Sequence, residues 1–331
     1  MSTPQVSVII PVYNGARFLK ASVGGVIAQT LHPLELFCVD DGSTDGSPQL
    51  LEAIETPFPK HMLYQKRKRQ SAACNLAAAR TRGKYLAFLD QDDIWYPTAL
   101  EKLVAPLEQN PLLGWSYSDV DEIDLNGLMV TRSALRTYNA LVEHPKTSLF
   151  DMLCADMLVL ASSAIVRRDA FMAIGGFDER LSGYEDDDLF LRLFKAGWMN
   201  VFLNESQVRY RRYSGSSTHS EHMRLSREVF AAKLMEMFPD DPELQRFYVR
   251  DLIAPRFVVT AKAEYAKHFR TQNWEQCQSA LELMRRFAAL MKLPLSSERT
   301  RRAIIFRLLA YPRLLKLLYP LMQPRRLLAQ L

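Results

Sequence analysis

Lys84-Tyr85-Leu86-Ala87-Phe88-Leu89-Asp90-Gln91-Asp92-Asp93-Ile94-Trp95 is the stretch on which the fold turns. Its first half is short, apolar and aromatic and follows Gly83, the profile of a strand buried on both faces inside a parallel sheet. Its second half is a run of carboxylates. Open α/β sheets bind ligands in the crevice beyond the carboxyl ends of their strands, so Asp90, Asp92 and Asp93 are expected to project there. Like charges this close repel, and a divalent cation or bulk water has to relieve the repulsion. Asp is also an ordinary turn residue, so spacing alone leaves both a metal site and a solvated acidic turn open.

Upstream, Val6 to Ile10 reads as a strand, Ala16 to Gln29 as a helix, Leu36 to Val39 as a strand and Ser47 to Glu55 as a helix. A third helix over Ser71 to Arg80 completes an alternation that predicts an α/β fold, a mostly parallel sheet with helices on both faces and right-handed crossovers. The first strand ends in Pro11-Val12-Tyr13-Asn14-Gly15, a stiff backbone with a ring that can pack on a planar base. The second ends in Val39-Asp40-Asp41-Gly42-Ser43-Thr44-Asp45-Gly46, which adds carboxylates at the same sheet edge. Ser43, Thr44 or Asp45 is expected to cap a helix, and capping leaves Asp40 and Asp41 unexplained. Downstream the pattern is less regular, with a strand at Trp115 to Val120 and a turn at Asn126-Gly127. Residues 151–213 hold a second cluster of unusual residues. Beyond 221 the chain reads as helices broken by Pro239, Pro242, Pro255 and Pro294.

A chain of 331 residues, 48% hydrophobic and 24% charged, is no disordered segment and has length for a core and a second small domain. Cys38, Cys74, Cys154 and Cys277 form no Cys-x-x-Cys pair, which predicts buried thiols in a reducing compartment. Neither a signal peptide nor a spanning helix is evident, so the expected location is cytoplasmic, in solution or peripheral on the inner face of the cell membrane. The net charge of +5 is uneven: residues 299–331 carry eight Arg or Lys and no acid. There Leu-Leu pairs alternate with basic residues, as in Arg313-Leu314-Leu315-Lys316-Leu317-Leu318. Both an amphipathic helix on anionic lipid and a helix packed on protein with snorkelling arginines fit that pattern. Lys66-Arg67-Lys68-Arg69 lacks interleaved aromatics and reads as a solvated loop, so no nucleic-acid partner is expected.

The order of these motifs resembles the family 2 glycosyltransferases of the GT-A fold. The resemblance rests on Pro11 to Gly15, Val39 to Gly46, Gly83-Lys84-Tyr85 running to Asp93, Gly175-Gly176-Phe177-Asp178-Glu179 and Gly183-Tyr184-Glu185-Asp186-Asp187-Asp188-Leu189. It implies a catalytic domain over 1–220, with a donor half to about 110 and an acceptor half beyond, followed by a helical basic extension over 221–331. It implies transfer of one sugar from a nucleotide-diphosphate donor, usually a UDP-sugar, to an acceptor hydroxyl with inversion. Asp41, with Asp40 beside it, is then the residue that meets the nucleobase, and Pro11 and Tyr13 line the base pocket. Asp90-Gln91-Asp92 is similar to the family's Asp-x-Asp element, which makes Asp92 the direct ligand of Mn²⁺ or Mg²⁺, Asp90 its companion and Gln91 a neighbour of the ribose.

Glu185 to Asp188 open a helix whose Leu189, Leu191, Leu193 and Phe194 face inward. The helix dipole accounts for Glu185, Asp187 and Asp188, at about 0.3–1 kcal/mol per charge. Asp186 matches the family's general base, and one base with no nucleophile implies inversion. Many members have Ala-Arg-Asn where this chain has Ala73-Cys74-Asn75, so Asn75 is expected at the donor with Arg69 or Lys68 replacing the lost cation. Relatives often place His where Tyr213 stands, and a phenol, titrating at about 10, is a poorer metal ligand. Arg211 or Arg212 is expected at the diphosphate instead, and Glu185 and Tyr213 at the diphosphate or the acceptor. The Gln-x-x-Arg-Trp motif of processive synthases is absent, which points to a single addition to a carbohydrate or lipid-linked saccharide acceptor. Three competitors stand beside this reading. Asp40 to Thr44 faintly resembles the nucleophile loop of haloacid-dehalogenase-like phosphatases, without accounting for Asp90 to Asp93. Cys74 and Tyr213 motivate a degenerate sugar-nucleotide or membrane-binding module. A dinucleotide oxidoreductase lacks its Gly-x-Gly-x-x-Gly.

Overall fold

Seven short elements alternate from the start of the chain: β1 (Val6–Val12), α1 (Ala16–Ile27), β2 (Glu35–Asp40), α2 (Ser47–Ala53), β3 (Lys60–Tyr64), α3 (Arg69–Ala78) and β4 (Tyr85–Phe88). The computed structural model describes residues 5–138, 143–213, 221–291 and Leu309. Every residue of β1, β2 and β4 is buried, as the near-continuous apolar strands of a parallel sheet require. These strands lie in the order β3-β2-β1-β4, all parallel, so their carboxyl ends share one edge. Val6, Val8 and Ile10 of β1 join one hydrophobic core with Leu19, Val23 and Val26, which recur at helical spacing on α1.

The chain then forms β5 (Ile94–Trp95), α4 (Ala99–Gln109), β6 (Leu113–Ile123), β7 (Met129–Thr131), α5 (Ala134–Tyr138), α6 (Leu149–Leu153), β8 (Ala164–Arg167), α7 (Arg168–Ala173), α8 (Glu185–Lys195) and β9 (Met199–Arg211). The sheet continues as β8-β6-β9-β5, with β7 paired to β6. β8 runs against both β4 and β6, which turns the parallel sheet into a mixed one. β6 and β9 are again parallel. The expected turn at Asn126-Gly127 is present: the Gly127 N–H donates to the Asp124 carbonyl at 3.0 Å with φ at 88°.

Several elements, among them β3, α4, β5, β7, β8 and β9, carry no clear signal in the sequence. β3 is a half-exposed edge strand that includes Lys60 and His61, α4 has Pro106 inside it, and β5 spans two residues. The inward set of α8 is Leu189, Phe190, Leu191 and Leu193; Phe190 rather than Phe194 is fully buried, because it packs on Trp115 of β6 at 5.7 Å.

The chain divides into two compact units, Met1–Met152 with Met157–Phe230, and Leu153–Asp156 with Ala231–Leu331. The sheet belongs to the first. After α9 (Glu221–Met237), the second contains α10 (Ala254–Arg270) and α11 (Trp274–Leu290), joined through stacked Phe257 and Phe287 at 4.9 Å. Pro255 does not break a helix there; it follows directly on the π-helical turn Val249–Ile253, whose changed hydrogen-bond register accommodates it at the start of α10. The buried Arg256 guanidinium holds Asp156 at 3.0 Å, tying residues 153–156 to this unit. Pro294 and the basic 299–331 segment lie outside the described residues except Leu309, whose carbonyl accepts from the Tyr265 hydroxyl at 2.7 Å. Among the described residues no helix is long and apolar enough to cross a membrane. Cys38, Cys74 and Cys277 are buried as expected, while Cys154 is half-buried.

Candidate active site

Hydrogen bonding past the strand ends aligns three functional stretches. The Asp41 N–H donates to Val12 O at 2.8 Å and the Leu89 N–H to Ile9 O at 2.9 Å, which sets Tyr13, Asp41 and Asp90 beyond neighbouring strands at one edge.

Gln91 fixes the loop after β1. Its Oε1 accepts from the Tyr13 N–H at 2.9 Å and its Nε2 donates to Tyr13 O at 3.1 Å. A Cβ on Gly15 would press on this side chain and displace its amide from Tyr13. The residue expected near the ribose thus has its amide engaged by backbone, following buried Pro11 and Val12. The Tyr13 ring carries the Arg67 guanidinium at 4.8 Å.

Asp41 proves to be a helix cap, correcting the expectation that capping leaves it unexplained, whereas Asp40 caps no helix and closes an Asx turn on the residues that follow it. Asp40 accepts from the N–H groups of Gly42 and Ser43 at 3.2 and 3.3 Å. Asp41 accepts from the Lys68 and Arg69 N–H groups at 2.6 and 2.7 Å and from Gln65 Nε2 at 2.9 Å. Lys68, the N-cap of α3, offers no side-chain cap, so Asp41 supplies one from 27 residues away. Arg69, with φ at 74°, brings its backbone N–H to this point while its side chain is exposed. Asp45 caps α1 through the Ala16 N–H at 3.0 Å.

Asn75 bridges the two halves. Its Oδ1 accepts from the Phe177 N–H at 2.9 Å, and its Nδ2 donates to Phe177 O at 2.9 Å and to Glu179 Oε1 at 3.1 Å. The Gly175-Gly176 turn makes this approach possible: Gly176 has φ at 70°, and a Cβ on it would lie 2.5 Å from Asn75 Oδ1. Both amide donors of Asn75, expected at the sugar donor, are engaged by this bridge.

The acids form one electrostatically linked group. Asp90 accepts from Gln70 Nε2 at 2.8 Å, and burial first, then the charges of Asp92 and Glu185, push its carboxyl up to about 7. Asp92 is also raised by burial, with the Tyr213 hydroxyl bond and the Arg211 charge pulling the other way. Asp93, buried at 1% exposure, accepts from Ser162 Oγ at 2.7 Å and the Arg211 N–H at 2.9 Å. Burial and the charges of Asp90 and Asp92 raise it well above the carboxylate range.

From the other half, α8 starts with Gly183 and Tyr184 at positive φ, and Glu185 accepts from the Gly183 N–H. Asp186 accepts from the Ala161 N–H at 3.1 Å through Oδ2, while its buried Oδ1 has no hydrogen-bond partner among the described residues. Burial, then Glu185 and Asp90, raise it well above the carboxylate range. Asp187 accepts from the Met157 N–H at 3.3 Å and Asp188 pairs with Arg192 at 2.7 Å, so these two do more than face the helix dipole. Cys74 of α3 feels Asp90, Asp186 and Glu185 and stays a neutral thiol, its pKa raised mainly by burial.

The two arginines expected at the diphosphate have other partners. Arg211 is buried, its Nε on Asp92 O at 2.8 Å and its Nη1 on the carbonyls of Asp124 and Leu125 at 2.9 and 3.1 Å. Arg212 pairs with Glu122 at 3.1 Å. Tyr213, packed on Phe18 at 5.6 Å, is pushed up to about 12 by burial and Asp92, so it holds its proton and donates to that carboxylate.

No three His, Cys, Asp or Glu side chains among the described residues form a closed metal cage. Mg²⁺ and Mn²⁺ do not need one: one or two carboxylates with phosphate oxygens and water suffice. Asp90 and Asp92, two raised carboxyls that disfavour each other's charge, fit such a shared site. Gln65, Arg67, Gln70, Ala161 and Ser162 were missed by sequence reasoning, because each is defined by a partner far along the chain.

Residues 7–174, half of the chain, match the family model described as Glycosyl transferase family 2. An uncharacterized glycosyltransferase of Nostoc sp. is 33% identical over 132 residues, covering 39% of this chain and 41% of that protein, so the chain spans less than half of that relative's length. The S. aureus TarS 1-349 structure in complex with UDP-GlcNAc has a TM-score of 0.60 at 16% identity, covering 93% of this chain and 87% of that one. Mannosyltransferase PcManGT from Pyrobaculum calidifontis in complex with GDP-Man and Mn²⁺ gives 0.55 at 16% identity, covering 100% and 86%. At that identity the likeness is one of fold, the GT-A sheet and its helices. With the family model spanning half of the sequence and the sheet laid out as in these enzymes, the chain belongs to glycosyl transferase family 2.

Proposed function

We propose that residues 1–220 form a catalytic domain that transfers one sugar, with inversion, from a UDP-sugar to a hydroxyl of a carbohydrate or lipid-linked saccharide, with 221–331 as an extension. The observation that carries this is Asp186: one oxygen is held by the Ala161 N–H, the other is buried without a partner, and its proton affinity is raised. A carboxylate fixed by one oxygen and raised in basicity suits removal of the acceptor proton as that hydroxyl attacks the anomeric carbon opposite the diphosphate. A single base yields one displacement and hence inversion.

On the donor side, Tyr13 offers a face for the base and Asp41 an acceptor at its edge, with Pro11 and Asp40 stiffening the backbone between them. Asp92 and Asp90 would hold Mn²⁺ or Mg²⁺, which when bound neutralises charge on the departing diphosphate. Tyr213 and Gln70 orient those two carboxylates. UDP is favoured by the TarS neighbour, and GDP-mannose is the alternative that PcManGT offers. The phosphatase reading is set aside because both carboxylates of its candidate loop serve N–H groups.

Assays over a panel of UDP- and GDP-sugars with Mn²⁺ test the proposal. Transfer should fall about 10²- to 10⁴-fold in Asp186→Asn while donor binding persists. Unchanged turnover would remove Asp186 as the base, and donor binding without turnover in the wild type would favour the degenerate module.

A further inference from the structure

The hairpin joining β6 and β7 carries Leu128, Met129 and Val130 at 67%, 42% and 61% exposure. Three consecutive exposed apolar side chains on a strand edge are unusual, since exposed strands normally carry charge there. Arginines ring this tip. Arg132 follows it directly, Arg136 bonds Ser133 Oγ at 2.6 Å, Arg17 Nη2 donates to Asn126 Oδ1 at 3.3 Å, and the Arg212 N–H donates to Ile123 O at 2.9 Å. All four side chains are exposed, whereas Asp119, Asp121 and Glu122 are buried behind, and Asp124, half-buried in the turn, is engaged by the N–H groups of Asn126 and Leu128 at 2.8 and 2.9 Å. Arg136 and Arg212 lean on two of these acids, at 2.9 and 3.1 Å, with about half of each arginine still open to water.

An apolar tip inside a cationic rim matches the interface of an anionic bilayer. Leu, Met and Val enter the boundary between headgroups and acyl chains, and guanidiniums meet the phosphates. The hairpin also has a fixed position relative to the acids, because Arg211 bonds the carbonyls of Asp124 and Leu125 at its base and that of Asp92.

We infer that the β6–β7 hairpin docks on an anionic lipid surface and holds the acid cluster at headgroup level. The docking does not depend on the reaction proposed above, although an acceptor carried on a lipid would meet the site there.

The test is co-sedimentation of the full chain with vesicles of equal parts phosphatidylglycerol and phosphatidylcholine. Changing Leu128, Met129 and Val130 together to Ser should lower partitioning at least about tenfold, and Arg132→Gln should lower it about fivefold. Val130→Trp should strengthen binding and show blue-shifted fluorescence on the vesicles while keeping the wild-type melting temperature, which separates the gain from misfolding. Manganese-dependent hydrolysis of a sugar nucleotide should be unchanged in all three variants, so failure of the docking and failure of the transferase reading are separate results. Equal partitioning of wild type and triple variant would overturn the inference. So would Val130→Trp fluorescence that vesicles leave unshifted, or a wild-type dimer that the triple variant dissolves while neither form binds lipid, which assigns the face to a second copy.

Discussion

Asp41 and Asp186 are both aspartates from the two sides of one crevice, and they live under opposite conditions. Asp41 accepts three N–H bonds, two of them from the backbone that opens α3. Asp186 accepts one, keeps a buried oxygen without a partner, and is raised by burial and by its acidic neighbours. Asp41 is therefore held by bonds already made, and Asp186 sits among like charges that nothing relieves. A carboxylate of the first kind builds the fold; one of the second kind weakens it and gains chemistry.

The largest expected effect separates the two directly. Asp186→Asn should remove about 10²- to 10⁴-fold of the turnover without lowering the melting temperature, since it deletes a buried charge that the fold does not satisfy. A melting temperature that drops by several degrees would show that Asp186 belongs with Asp41. Next in size, Asp92→Ala should weaken manganese-dependent UDP binding about 10- to 100-fold, read by calorimetry. Tight binding of UDP without metal would remove the shared-site argument.

The mirror experiment is Asp41→Ala, which orphans the first N–H groups of α3 and should cost about 1–3 kcal/mol in urea unfolding. A neutral result would mean that the cap is dispensable. The smallest effect is a slope. Burial and the charges of Asp92 and Glu185 push the Asp90 carboxyl from 3.8 up to about 7 in the folded protein, so between those values the native state binds the extra proton. Stability from this group is full below about 4 and is lost as pH rises through 7. Asp90→Asn should flatten the metal-free stability curve over that window. Added Mn²⁺ should protect more strongly as pH rises, because the ion needs the carboxylate deprotonated.

Sequence reading reached the parts of the molecule whose signals are local. The buried apolar runs of β1, β2 and β4 and the acids ending them need no distant partner to be recognised. β3 was missed because an edge strand with Lys60 and His61 loses the apolar signature, and α4 because Pro106 interrupts its pattern. Within the site, residue types were legible and their engagements were not. Nothing near Asp41 announces a helix start 27 residues on, and nothing near Arg211 announces three carbonyls from two other loops. Arg69 and Arg67 differ by two positions, yet the guanidinium over Tyr13 belongs to Arg67, while Arg69 gives its backbone N–H to Asp41.

Arg211 has a consequence for how such a protein can diversify. Its guanidinium grips main-chain oxygens of the β6–β7 hairpin and of the Asp92 loop, atoms that every residue type presents. With Asp124 holding the turn through the Asn126 and Leu128 N–H groups, the side chains of Leu125 and Leu128 are released from the task of holding their own position. Substitutions at 125 or 128 can alter what the hairpin touches while the clamp keeps its distance to the carboxylates, so one arginine lets selection revise the surface without re-solving the chemistry.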